Sequence, residues 1–388
     1  VVTVQIVVFL LYSAIVSALF AALVPGYLLW LWWGRRRAPR ASAGAATEAP
    51  AFDVVVPVHD EAALVAQKLD DLAALTYPSE RVRFLVVDGA SADGTWEIVH
   101  ARPAADGRFS AIRVGVADKT RQLNAALGQC HAPWVVVTDA DARLPRETLL
   151  RLAATAAAHP DAAVLGTTVT PARAHAVERL HWQVANHIRR LESARGSASL
   201  VAGPCYAFRR TLLTRFADDV IADDAHVALA AAVEGGRVVI ADVRVTEERS
   251  PVRLADLFSH KIRKTDAYLR EIFRFLPRIG AMSPPTQAMF LWRAAQLTIL
   301  PVLIALGVLG VVAAGAQALP LGLALVLPAA AMLLLVASWW GIGRTASPLL
   351  LLAHGVVLSL VTLAALAAYP FTRQTAALPK IPTTRRGT

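Results

Sequence analysis

Cysteine is almost absent from this chain: Cys130 and Cys205 are the only two in 388 residues, far apart and in no ligand spacing. That excludes a disulfide framework and a cysteine-based zinc centre, and it fits a reducing cytosolic compartment. Charge is missing too, but only locally. No charged residue occurs from Val1 to Gly34 or from Ala294 to Gly343, and between Thr345 and Thr372 only His354 titrates near neutral pH. A bilayer core of roughly 30 Å is crossed by about 20 apolar helical residues. Each stretch is long enough to span, and the 294–343 stretch is long enough to span twice, with a turn around Ala314 to Pro320.

What is present is apolar and basic: 56% of residues are hydrophobic and the formal net charge is +10. The basic residues sit beside the apolar runs, as the positive-inside rule requires of a membrane protein. They suit anionic lipids and phosphorylated substrates. They lack interleaved aromatics, which argues against a nucleic-acid partner.

These shifts divide the chain. Residues 1–34 read as a transmembrane signal anchor with its N-terminus outside and a possible kink at Pro25-Gly26. Ala41-Ser-Ala43 looks like a signal-peptidase site, but the apolar run is too long for a cleaved signal and Arg35, Arg36, Arg37 and Arg40 lie on the wrong side of it. Residues 35–50 read as a linker, 51–250 as a cytoplasmic catalytic domain, 251–280 as a basic amphipathic segment suited to the membrane surface, and 281–372 as a transmembrane region of up to three spans. Residues 373–388 are a basic tail. The expected location is the inner (plasma) membrane. Retaining the tail in the cytoplasm favours an odd total of crossings, with the segment interrupted by Arg293 and Pro301 as the exception.

Within 52–250, strand and helix signals alternate. Phe52–Pro57, Phe84–Asp88, Ile112–Gly115 and Pro133–Thr138 read as strands, with helices over Glu61–Leu75, near Thr95–His100 and over Leu144–Ala157. Such alternation predicts an α/β fold with a mostly parallel sheet flanked by helices. Ligands bind such sheets beyond the C-terminal ends of the strands. The acidic residues fall at those ends. Thr138-Asp139-Ala140-Asp141 follows a strand directly, placing two carboxylates where Mg²⁺ or Mn²⁺ is held together with substrate phosphates. Asp88 and Asp93 also suit turn and helix caps, Asp223 and Asp224 an N-cap pair, and Trp182 reads as packing.

Five segments stand in a telling order: Val56-Pro57-Val58-His59-Asp60-Glu61, Val87-Asp88-Gly89-Ala90-Ser91-Ala92-Asp93-Gly94-Thr95, Lys119 to Asn124, Asp139-Ala140-Asp141 and Asp223-Asp224. In this order they resemble the family 2 inverting glycosyltransferases of the GT-A fold, over roughly residues 52–245. The resemblance implies a GT-A-like sheet with N-terminal and C-terminal transmembrane helices. It also implies a nucleotide-sugar donor, UDP by preference, and a lipid or glycan acceptor. Pro57, Val58, Glu61 and Asp88 would bind the nucleotide, Lys119 the diphosphate, and Asp139 and Asp141 the metal. Asp224 would be the general base, with Asp223 beside it raising its pKa. Arg263 stands where processive synthases carry Q-x-x-R-W, but here the stretch reads His260-Lys-Ile-Arg263-Lys264. The missing Trp counts against processive polysaccharide synthesis. Gly89 replaces the second Asp of the V-D-D motif. An inactive membrane scaffold on the same fold is the other alternative, and both the D-x-D and the late base count against it.

Overall fold

The computed structural model describes residues 22–34, 49–316 and 348–372, with isolated positions between 11 and 19. The linker, the 318–341 apolar run and the basic tail therefore lie outside the described residues.

The centre is an eight-stranded mixed sheet. Its strands are β1 (Phe52–Val58), β2 (Val82–Gly89), β3 (Phe109–Val114), β4 (Trp134–Thr138), β5 (Ala142–Arg143), β6 (Ala162–Pro171), β7 (Cys205–Arg209) and β8 (Arg237–Glu247), in the order β3-β2-β1-β4-β7-β6-β8-β5. β3, β2, β1 and β4 run parallel to one another; β7 then runs antiparallel to both β4 and β6, β8 runs parallel to β6, and β5 at the edge runs antiparallel to β8. The expectation of a mostly parallel sheet is thus corrected at its middle, where the short β7 makes the sheet mixed. β1 and β4 are buried along their whole length, as continuous Val-rich runs covered on both faces should be. The one charge inside β1, Asp53, is satisfied by the backbone N–H groups of His131 and Ala132 and by Arg83.

Pro57 marks where the sheet opens. β1 stays in register with β2 as far as Val58↔Asp88, but its ladder to β4 ends at Val55↔Val137. A proline has no N–H to give a ladder, so it belongs where one neighbour has already left. The crevice between the diverging ends of β1 and β4 is the ligand position expected of such sheets.

Helices cover both faces: α1 (Tyr27–Trp33), α2 (Ala62–Ala73), α3 (Thr95–Ala105), α4 (Lys119–Leu127), α5 (Thr148–Ala158), α6 (Ala176–Arg195) and α7 (Asp223–Val233). A π-helical turn at Ala22–Gly26 precedes α1 and contains Pro25, which is where a kink was expected. Three longer helices follow: α8 (Leu254–Phe275), α9 (Pro284–Ala316) and α10 (Pro348–Ala368). Among the described residues, two segments are long and apolar enough to cross a membrane, Pro284–Leu306 and His354–Phe371. The first turns of α9 pack onto the domain. Met289 and Trp292 bury against Tyr27, Leu31 and Ile188, and Arg293 reaches Glu192 at 3.4 Å.

The basic segment at 251–280 is α8, and most of its charges are paired within the protein. Lys261 pairs with Glu178, Arg270 with Asp266, and Arg274 with Asp219 and Glu271. Its first half forms a wall of the domain.

Gly89 has a packing reason. A Cβ there would lie 2.9 Å from the Gln122 side-chain amide and 3.1 Å from the Val116 carbonyl. Gln122 donates to the carbonyls of Val58 and Val87, tying the ends of β1 and β2 together. In this chain the glutamine takes the space a larger residue at 89 would need. Gly89→Ala is therefore expected to cost about 1–3 kcal/mol of unfolding free energy, the usual range for overpacking. Chemical denaturation measures this, and wild-type stability would show that Gln122 yields freely.

Candidate active site

The ends of β1 and β4, the N-termini of α4 and α7 and one face of α8 enclose a single cleft. Of the residues singled out in the sequence, Pro57, Val58, Glu61, Lys119, Asp139, Asp141, Asp223, Asp224 and Arg263 all line it. Asp88 does not. It is fully buried behind the cleft, accepts from Ser91 N at 3.2 Å and lies 3.5 Å from Arg113, while its Oδ1 has no hydrogen-bond partner.

The loop after β2 clamps the loop after β1. Ser91 Oγ accepts from Asp60 N, Thr95 Oγ1 from Glu61 N, and Asp93 from Ala62 N. Asp93 also accepts from Thr95 N and Oγ1, closing the turn before α3. Asp60 and Ala90 hold left-handed backbone (φ 48° and 58°), a conformation costly for non-glycine residues and typical of constrained sites.

At the centre, Lys119 Nζ lies 2.9 Å from Asp139 Oδ1 and 3.1 Å from Asp223 Oδ1. Lys119 is the first residue of α4, set there by Asp118, whose side chain caps the helix through Arg121 N. Burial works against the lysine's charge, but the carboxylates of Asp139 and Asp223 hold its pKa well above the ordinary value. Asp223 and Asp224 are not N-caps. Ala222 occupies that position, and the pair forms the first turn of α7, where the helix dipole favours negative charge.

Burial, and then the neighbouring Asp223, raise the Asp224 carboxyl above the usual aspartate range. Two tyrosines address this pair: Tyr206 donates to Asp223 Oδ2 at 2.6 Å, and Tyr268 donates to Asp224 Oδ2 at 3.0 Å. Burial keeps both phenols protonated, so both remain donors. Gly203 lies against the same carboxylate; a Cβ there would come within 3.3 Å of Asp224 Oδ2.

Asp141 is the other pole of the cleft. Burial, with Asp139 and then Glu247 adding to it, raises its carboxyl to about 7. A carboxylate held this way gains most from a cation. Among the described residues no three His, Cys, Asp or Glu side chains converge as a metal cage. Asp139 and Asp141 therefore suit a hard divalent ion that completes its shell with phosphate oxygens and water.

Three contributors were given no role from sequence. Tyr206 and Tyr268 are two, since their partners are distant in the chain. Lys68 is the third. It is fully buried on α2 beneath the D-x-D loop, and its Nζ donates to Thr138 Oγ1 at 2.9 Å and to Ala142 O at 2.6 Å. Those two residues bracket Asp139 to Asp141. Burial lowers the Lys68 pKa to about 8. No sequence signal marks it, because a lysine on an amphipathic helix reads as solvated.

Comparisons with known proteins agree with this geometry. Residues 53–216 match Glycosyl transferase family 2. That match takes in Lys119 and the D-x-D loop. The chain is 26% identical over 177 residues to an N-acetylglucosaminyltransferase of Bradyrhizobium diazoefficiens, covering 44% of this chain and 36% of that protein. It is 29% identical over 104 residues to the poly(ribitol-phosphate) beta-N-acetylglucosaminyltransferase TarS of Staphylococcus aureus, covering 26% of this chain and 18% of that protein. It thus spans well under half the length of either relative. Among solved structures, the mannosyltransferase PcManGT from Pyrobaculum calidifontis, in complex with GDP-Man and Mn²⁺, matches with a TM-score of 0.71 at 25% identity, covering 93% of this chain and 99% of that one.

Lys68→Met keeps the buried volume and deletes both bonds under the D-x-D loop. It is expected to cost about 1–3 kcal/mol in stability, as for a buried acceptor left unmade. It should also raise the metal concentration needed for half-maximal turnover. Denaturation and a metal titration read the two effects; if neither moves, Lys68 does not position the loop.

Proposed function

We propose that the chain is a membrane-bound inverting glycosyltransferase that moves a sugar from a nucleotide-sugar to a hydroxyl of a lipid or glycan acceptor at the cytoplasmic membrane face. The observation that carries this reading is Lys119 joining Asp139 to Asp223, which brings the D-x-D loop and the late aspartate pair to one point. Charged groups for a diphosphate and for a proton acceptor then lie side by side.

In this reading Pro57, Val58 and Glu61 flank the nucleotide, and Glu61 is held by Arg249 at 2.6 Å. Asp88 acts from behind by holding the Ser91 turn. Lys119 and Arg263 face the diphosphate; no carboxylate among the described residues pairs with Arg263. Asp139 and Asp141 would hold Mg²⁺ or Mn²⁺, which when bound neutralises charge building on the leaving diphosphate. Asp224 accepts the proton of the acceptor hydroxyl as that oxygen bonds the anomeric carbon. The bond from that carbon to the diphosphate breaks, and its electron pair leaves with the nucleoside diphosphate. Tyr268, on Oδ2, and Ala225 N, on Oδ1, fix Asp224 during this step. Attack from the face opposite the leaving group inverts the anomeric centre. The relatives' names divide between N-acetylglucosaminyl and mannosyl transfer, so UDP-GlcNAc and GDP-Man are the donors to test first.

Asp141→Ala is expected to abolish transfer while the protein stays folded, because the carboxylate sits at a loop and its loss opens no core cavity. Activity that persists in this variant, or wild-type turnover in excess chelator, counts against the metal assignment.

Asp224→Asn should retain donor binding and lose turnover by roughly 10²–10⁴-fold, the usual worth of general-base help. The wild-type rate should fall on the acid side at a pH above the ordinary aspartate range, since the base must be ionised and its pKa is raised. Asp223→Asn removes the like charge, so the acid limb should move to lower pH. A limb that stays put in that variant, or an inactive Asp223→Asn beside an active Asp224→Asn, reassigns the base.

A further inference from the structure

Behind the Asp224 side of the cleft, a buried indole N–H and two cations gather with no carboxylate in ion-pair contact. Trp182, on α6, is 6% exposed and its buried Nε1–H has no partner. Arg189, about two turns further along the same helix, is 7% exposed and its guanidinium lies 5.5 Å from the Trp182 ring centroid. Lys264, on α8, places its Nζ 5.6 Å from the same centroid. Among the described residues neither cation lies within ion-pair distance of a carboxylate. The polar contact of Arg189 is a bond of 3.5 Å to Asn186 Oδ1, and that oxygen already accepts from Val169 N.

Asp224 and Glu247 act on Lys264 only at longer range, and the other carboxylates nearby are engaged elsewhere. Glu178 pairs with Lys261, while Glu192 accepts from Tyr27, Ser199 and Arg293. Two cations sharing one buried indole repel each other, and burial of an unpaired guanidinium is expensive. Burial indeed lowers the Arg189 pKa, and only Tyr268, Asp224 and Glu192 oppose that at longer range. A buried cluster of donors whose cations have no carboxylate partner is complementary to an anion.

We propose that Trp182, Arg189 and Lys264 form an anion subsite for a phosphate or diphosphate group carried by the acceptor, adjoining the base. The inference deepens the transferase reading and rests on it for the word acceptor. Its position fits: Lys264 and Tyr268 line the cleft, and Tyr268 bonds the base. A phosphate seated there leaves a hydroxyl further along the same acceptor free to reach Asp224. The subsite also adjoins an apolar helix. The His181 ring, next to Trp182 in sequence, lies 5.8 Å from that of His354 of α10, one of the helices long and apolar enough to cross a membrane. A lipid-borne phosphate and a free one share the chemistry, and the test separates them.

The test is calorimetric titration of the full chain in detergent, carrying Asp141→Ala and in excess chelator so that the donor metal site is disabled. The probes are farnesyl diphosphate, inorganic pyrophosphate and farnesol. Farnesyl diphosphate is expected to bind, and adding Arg189→Gln should weaken it roughly tenfold or more, the worth of a charge-assisted hydrogen bond. Trp182→Phe, which keeps the packing and deletes the N–H, should weaken it severalfold and carries the test if Arg189→Gln does not fold. Farnesol should show no Arg189-dependent binding. Tighter Arg189-dependent binding of farnesyl diphosphate than of pyrophosphate assigns a lipid source; equal binding assigns the free anion. Unchanged affinity for both anions in folded Arg189→Gln and Trp182→Phe overturns the proposal. Because no sugar transfer is read, an inactive enzyme leaves this result standing.

Discussion

The contact on which the site depends is one lysine held between two carboxylates from different parts of the chain. Lys119 comes from the start of α4, Asp139 from the end of β4 and Asp223 from the start of α7. Without the cation, Asp139, Asp141, Asp223 and Asp224 would crowd four negative charges into one half-buried crevice. Like charges at such range push carboxyls toward their neutral forms. Lys119 offsets that repulsion, and it does so from a helix N-terminus, an unusual place for a positive charge given the dipole. The helix tolerates it because its paired carboxylates reverse the local sign. Local propensity has yielded here to the demands of the site.

A second layer of the same economy lies on α8. Its cations fall into two sets. Lys261, Arg270 and Arg274 are each matched to an acid within the protein and tie the helix to α6, to itself and to the α7 side. Arg263 and Lys264 line the cleft without such partners. With its apolar and paired faces used by the fold, the helix turns these two charges toward the cleft. One helix thus joins the sheet domain to the apolar helices α9 and α10 and furnishes part of the cleft wall. That explains why a stretch with the pattern of a membrane-surface helix is also a structural wall.

Much of this was legible in the residues. The Val-rich strands, the D-x-D after β4, the Lys119 segment and the Asp223-Asp224 pair were readable because each is a local pattern, and strand-end chemistry converges by topology in such sheets. The antiparallel β7 was not readable, since a five-residue strand carries no mark of its direction. Gly89 looked like a lost carboxylate, and only the position of Gln122 gives it a packing reason. Lys68, Tyr206 and Tyr268 were hidden for a different cause. Each works through a partner at least 17 residues away, at distances that sequence spacing does not encode. Asp88 was read as a nucleotide contact; its Oδ2 holds the Ser91 turn, a bond that the motif alone does not reveal.

Trp182 shows where the sequence argument reaches its limit. As a lone aromatic on an amphipathic helix it reads as packing, and it does pack, against Val169 and Ala202. Packing accounts for its ring and not for its N–H. A buried indole N–H without an acceptor costs free energy that a phenylalanine would not incur. The same reasoning applies to Arg189, whose buried guanidinium a leucine would replace without penalty. Two such costs, adjacent to each other and to the base, are difficult to reconcile with folding alone. They become reasonable when the partner that satisfies both arrives with the substrate. Stability withheld from the fold at that place is then available as binding energy for an anion, which is how a site can select an acceptor by its charge while the base selects its hydroxyl.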